Sequence, residues 1–99
     1  MTIQQLEYLI AVDKYRHFGQ AAAACFVTQP TLSAQLSKLE KELGVVLFDR
    51  SKMPVIPTDS GAKVIEQAKK VVTDSRGIFE LVTQLKGDIS GTIKLGILP

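Results

Sequence analysis

Thr28, Gln29, Pro30, Thr31 and Ser33 crowd three hydroxyls, a carboxamide and a proline ring into six positions. Short groups of this kind reach phosphate oxygens or base edges. A glutamine pairs with adenine through two hydrogen bonds, and an apolar ring suits a thymine methyl. Ala34 and Lys38 continue the same surface, small near the start and basic further along. Arg50 and Lys52 lie in a loop further on, where they suit phosphate or minor-groove contact. Plain helix capping would also use Thr28. The two roles are compatible, because the first amides of a helix bind phosphate as well.

Nothing comparable supports catalysis. The chain offers no Ser-His-Asp or Cys-His arrangement, no phosphate-cradling glycine loop and no carboxylate pair in a pocket-forming segment. His17, the single histidine, has no Cys or Asp at ligand spacing and is a poor metal candidate. It suits capping of the helix that follows, or a phosphate contact. Cys25 is the single cysteine, which excludes a disulfide within the chain and a multi-cysteine zinc site. Set among Ala24, Phe26 and Val27, it reads as a small buried hydrophobe before it reads as a redox centre. No cofactor is expected.

The elements that hold these groups follow from local signals. Thr2 and Gln5 have capping-box spacing, and Ile3, Leu6, Leu9 and Ile10 give an apolar face to a first helix over Ile3 to Tyr15. Four alanines suit a second helix, Gly19 to Cys25, that approaches a neighbour closely. A break at Phe26-Val27 follows, with Val27 as the apolar plug. Phe26 stands where glycine would permit a left-handed backbone. Thr28 caps a third helix with Gln29-Pro30 in its first turn, and Gly44 ends it after Leu43. Leu32, Leu36, Leu39 and Leu43 form its buried stripe. Pro30, Ala34, Ser37 and Lys41 face the other way, flanked by Thr31, Ser33 and Lys38. Val45 to Asp49 and Val55 to Pro57 read as two short strands joined by a basic loop. Pro54 and Pro57 mark them as an edge ribbon.

Thr58 and Asp59 open a fourth helix that runs to Lys86 and ends at Gly87, spanning roughly 43 Å. Two seams run along it at 3-4 spacing. One is Ile65, Ala68, Val72, Ser75, Phe79 and Val82. The other is Val64, Ala68, Val71, Ser75, Ile78, Val82 and Leu85. A helix covering one small core needs one seam. The second points to a partner helix, most simply a second copy, unless both seams pack within one chain. Residues 88–91 read as a hinge, and Thr92 to Leu98 alternates like the opening strand of a further domain.

Composition is permissive. The chain has 99 residues, 45% hydrophobic and 22% charged, a globular balance that argues against disorder. Net charge is +2, and residues 1–57 carry six Lys/Arg against five Asp/Glu. A basic footprint must therefore come from arrangement, not amount. No apolar run is long enough to span a bilayer, and no secretory leader opens the chain, so cytoplasmic residence is expected.

The whole is a mainly α, winged helix-turn-helix plan: a three-helix core and hairpin wing over residues 1–58, with the helix-turn-helix at about 18–37. A dimerising linker helix over 59–87 and a truncated effector domain over 88–99 follow. Phe18, Ala21-Ala22, Val27, Gln29-Pro30, Leu32-Ser33, Gln35, Leu39-Glu40, Leu43-Gly44, Leu47-Phe48, Arg50, Thr58 and Gly61 resemble the opening of the LysR-type transcriptional regulators. Leu6-Glu7-Tyr8-Leu9, Arg16-His17-Phe18, Cys25 and Gln29 to Ser33 resemble the peroxide-sensing activators within that family. The resemblance implies double-stranded DNA as partner, at an AT-rich interrupted dyad, with Thr28, Gln29, Pro30, Thr31, Ser33, Gln35, Lys38 and Arg50 in contact. Ala34 lacks the longer polar side chain often found there. The resemblance also implies a homodimer through the long helix and tetramers of the full-length protein. Its redox cysteines lie beyond Pro99, so Cys25 matches neither, and this chain would not sense peroxide alone. The competing expectation is a helical protein-interaction module that does not bind DNA.

Overall fold

A computed structural model of the chain describes the backbone of residues 1–92 and the side chains of residues 1–87. Helix α1 (Ile3–Tyr15) opens on a reciprocal cap. The Gln5 N–H donates to Thr2 Oγ1 at 3.0 Å, and the Thr2 N–H donates to Gln5 Oε1 at 3.0 Å. Two orphan amides are satisfied at once. Arg16 ends the helix in the left-handed region at φ 54°, and its guanidinium holds Asp13 at 3.0 Å. Helix α2 (Phe18–Ala24) starts one residue earlier than its sequence suggested, because His17 is its cap. Helix α3 (Gln29–Leu43) begins at Thr28 and closes at Gly44, φ 74°.

Leu6, Leu9 and Val12 of α1 meet Ala21 and Ala22 of α2 and Leu32, Leu36 and Leu39 of α3 in one core. The alanines supply the close approach of α2. Two expected core positions lie outside it: Ile3 and Leu43 are both exposed.

The wing is a minimal antiparallel ribbon, β1 (Phe48–Asp49) and β2 (Ile56–Pro57), with Phe48 opposite Pro57. It is shorter than Val45 to Asp49 and Val55 to Pro57 because neighbouring backbone groups are engaged elsewhere. The Leu47 N–H donates to Glu40 Oε2 at 2.7 Å. The Leu47 and Val46 carbonyls accept from the Thr58 N–H and hydroxyl, and the Val55 N–H donates to the Arg16 carbonyl. These groups cannot also build a ladder.

Helix α4 (Asp59–Thr92) leaves this junction at Gly61. A Cβ there would stand 1.9 Å from the Leu47 carbonyl oxygen, so only glycine lets the helix start against the strand. Its first turns lie along α1, which buries Ile65, Ala68 and Val72 in the chain's own core. That corrects the expectation that Ile65, Ala68 and Val72, together with Phe79 and Val82, are the dimerisation residues of this helix. Leu9 and Val12 of α1 need cover, and burying them releases roughly 25 cal/mol per Å². Phe79 and Val82, with Ile78, Leu81 and Leu85, are exposed beyond the core. The expected stop at Gly87 is also corrected. The helix continues through 88–91 to Thr92, since one helical glycine costs only about 1 kcal/mol. The strand expected after Thr92 lies outside the described residues.

Candidate nucleic-acid interface

Thr28 does the work of an N-cap on α3. Its Oγ1 accepts the Thr31 N–H at 3.3 Å, and its hydroxyl donates to Thr31 Oγ1 at 2.9 Å. Pro30 needs no partner for its missing N–H in this first turn. The leucine stripe faces the core, and Thr28, Gln29, Pro30, Thr31, Ala34 and Lys38 are exposed on the opposite side. Ser33 is half-buried at the edge. Gln35 is half-buried too and partly committed, because its Oε1 accepts from Gln5 Nε2 at 3.1 Å. Its own amide protons stay available.

The turn before α3 is held by the Val27 N–H, which donates to the Ala22 carbonyl at 3.0 Å. Val27 packs against the core as the plug. Phe26 takes φ 60° and is 93% exposed, so a bulky residue sits in the conformation that favours glycine.

The wing is fixed to α3 through Glu40. Besides accepting from Leu47, this carboxylate holds Arg50 Nη2 at 3.1 Å. The Arg50 guanidinium also stacks 4.9 Å from the centre of the Phe18 ring, which meets Phe48 edge-on at 6.3 Å. Arg50 is thus oriented from two sides while staying exposed. Lys52 is exposed near the wing tip. The turn there is built on Asp49, whose carboxylate accepts from the Ser51 hydroxyl at 2.6 Å and from the Ser51 N–H at 3.0 Å. Those two bonds, with Lys52 nearby, hold the Asp49 carboxyl below the usual carboxylate range.

Gln29, Ser33 and Arg50 meet in one open cup of about 340 Å³ between α2, α3 and the wing. His17, Phe18, Gly19, Met53 and Val55 complete its walls. Of the residues singled out for contact, the fold brings those three together. Thr28, Pro30, Thr31, Ala34 and Lys38 line the adjoining face of α3, and Lys52 stands apart from the cup. Glu40 and Gly61, quoted above only for the family resemblance, prove to be positioning residues that spacing did not single out. Glu40 gave no signal, because its partners lie seven and ten residues away. Gly61 was detectable as a glycine three residues after a threonine cap.

Cys25 is half-buried beside a second groove between α1 and α4. Burial, then the Glu7 charge, raise its thiol above the ordinary range. Among the described residues, no helix is long and apolar enough to cross a membrane.

This geometry is shared with known proteins. The chain is 42% identical over 99 residues to the hydrogen peroxide-inducible genes activator of Pectobacterium carotovorum subsp. carotovorum, covering all of this chain and 33% of that protein. It therefore spans about a third of the length of the curated relatives it matches. The full-length OxyR C199D of Pseudomonas aeruginosa superposes with a TM-score of 0.82 at 45% identity, over 85% of this chain and 28% of that one. The BenM DBD in its complex with benA site 1 DNA superposes with a TM-score of 0.83 at 30% identity, over 86% and 96%. Residues 3–62 match the model of the bacterial regulatory helix-turn-helix protein, lysR family. With the winged three-helix core, the outward tip of α3 and these matches in hand, the chain belongs to the lysR family of bacterial regulatory helix-turn-helix proteins.

Proposed function

We propose that this chain is the sequence-specific DNA-binding part of an OxyR-like transcriptional regulator that acts in the cytoplasm on peroxide-inducible genes. The observation that carries this is the orientation of α3. Leu32, Leu36 and Leu39 are buried, and that leaves Gln29, Pro30 and Thr31 outward at the start of a helix with no acidic residue in its first turn. Such a tip fits the major groove. Gln29, Pro30, Thr31 and Ser33 read bases, with Ala34 close enough only for apolar contact. Thr28, Gln35, Lys38, Arg50 and Lys52 set register and affinity through phosphates.

Residues 1–58 form the reading unit, and α4 links two copies so that each reads one half of an AT-rich interrupted dyad. The exposed Phe79 and Val82, beside Ile78, Leu81 and Leu85, support pairing through the far half of α4. Tetramers belong to the full-length protein. The role is regulatory and not enzymatic.

Anisotropy titration against duplex DNA across a salt series tests the reading. Affinity should fall steeply with salt, with a logarithmic slope of about 0.9 per phosphate contacted. Binding that ignores salt, or that does not distinguish a selected duplex from a scrambled one, would refute it.

A further inference from the structure

His17 has one nitrogen occupied and one to spare. Its backbone is extended, and its Nδ1 accepts the Gln20 N–H at 3.0 Å, capping α2. A ring nitrogen that accepts carries no proton, so the neutral imidazole holds its proton on Nε2 as a donor. Serine or asparagine would cap equally well. Neither reaches as far past the cap, because the serine hydroxyl and the asparagine Nδ2–H2 sit on shorter side chains than the His17 Nε2–H.

The ring stands at the wall of the cup. Gly19 makes the space: a Cβ there would come within 2.9 Å of His17 Cε1 and 3.4 Å of Gln29 Oε1. Arg50 lines the same cup, oriented by Glu40 at 3.1 Å and by the Phe18 ring. Ser33 adds a hydroxyl, and among the described residues no Asp or Glu lines the cup. His17, Ser33 and Arg50 thus put donors on one open cup; Glu40 takes one nitrogen of Arg50, and the remaining N–H groups are the kind that receive an anionic oxygen.

We propose that this cup seats one backbone phosphate of the bound duplex, with His17 Nε2–H and the Arg50 guanidinium donating to its oxygens. The proposal rests on the DNA-binding reading above and adds His17 as a residue that sets register on the DNA without reading sequence.

Chemical scanning separates the two ideas. A selected duplex is made with a neutral methylphosphonate at each phosphate in turn. It is titrated with the wild-type chain and with His17→Ser, which keeps the α2 cap. His17→Asn is the second cap-competent variant, and melting curves confirm that each is folded. At one phosphate per half-site, neutralisation should weaken the wild type by well over tenfold, since two donors lose their charged acceptor and each such bond is worth about tenfold. His17→Ser should bind every unmodified duplex about tenfold more weakly, and at that same phosphate its further loss, of the Arg50 contact alone, should be about tenfold smaller than the wild type's. If both proteins lose equally at every phosphate, or His17→Ser binds unmodified DNA like the wild type, the His17 assignment falls while DNA binding stands. If the wild type shows no preference for any duplex, both fall.

Discussion

Glu40→Ala cuts the tie between α3 and the wing, and the structure sets its size. The Leu47 amide donates to this carboxylate at 2.7 Å from a fully buried residue. Without the acceptor, the amide is stranded where water cannot replace it, which costs about 1–3 kcal/mol. The second partner, Arg50, is two-fifths exposed, so that ion pair adds only about 0.5 kcal/mol. The amide dominates, and the total is about 2 kcal/mol, or a melting temperature lower by about 8–16 °C for a domain of this size. Glu40→Gln keeps a neutral acceptor for Leu47 and should lose about half as much. Arg50→Ala should cost less than Glu40→Ala, because it leaves the amide satisfied. Thermal unfolding by circular dichroism ranks the three. A Glu40→Ala melt indistinguishable from wild type, or an Arg50→Ala loss as large, would show that the buried amide is not what Glu40 serves.

Three further outcomes follow from single features. Gly61→Ala puts a methyl 1.9 Å from a backbone oxygen, so it should lower the urea midpoint further than Glu40→Ala does; a smaller loss would mean that α4 starts elsewhere. Phe26→Gly removes left-handed strain while discarding an exposed ring, and should stabilise by about 0.5 kcal/mol after the entropy of the unfolded glycine is counted. A destabilised variant would contradict that. Cys25 carries a raised pKa, so the folded chain disfavours the thiolate, and this group's contribution to stability is lost as pH rises past the ordinary thiol range. Iodoacetamide at neutral pH should therefore alkylate the folded chain more slowly than the urea-denatured one, and faster labelling of the folded chain would overturn the assignment.

Local signals proved the most legible part of the fold. The capping box at Thr2 and Gln5, the Thr28 cap and the Gly44 stop placed α1 and α3 to the residue, because a helix end is decided by groups within four positions. Long-range competition was not legible. The wing shortened because Glu40, Thr58 and Arg16 engage backbone groups around it. The family resemblance put Gln35 on DNA, yet Gln5 of α1 takes its oxygen. Periodicity reported that Ile65, Ala68 and Val72 must be buried but not what buries them. The covering surface was α1 of the same chain and not a second copy. The cup depends on three elements meeting, so no single stretch of sequence announced it.

Recognition turns on what the outward tip of α3 does when DNA is present. A duplex selected from a randomised library, then varied one base pair at a time, gives the discrimination profile of the wild type and of Gln29→Ala. Loss of about 1–3 kcal/mol of preference at one base pair in each half-site, with the other positions kept, is the expected result. An unchanged profile, or the same weakening at every position, would contradict base reading by this helix.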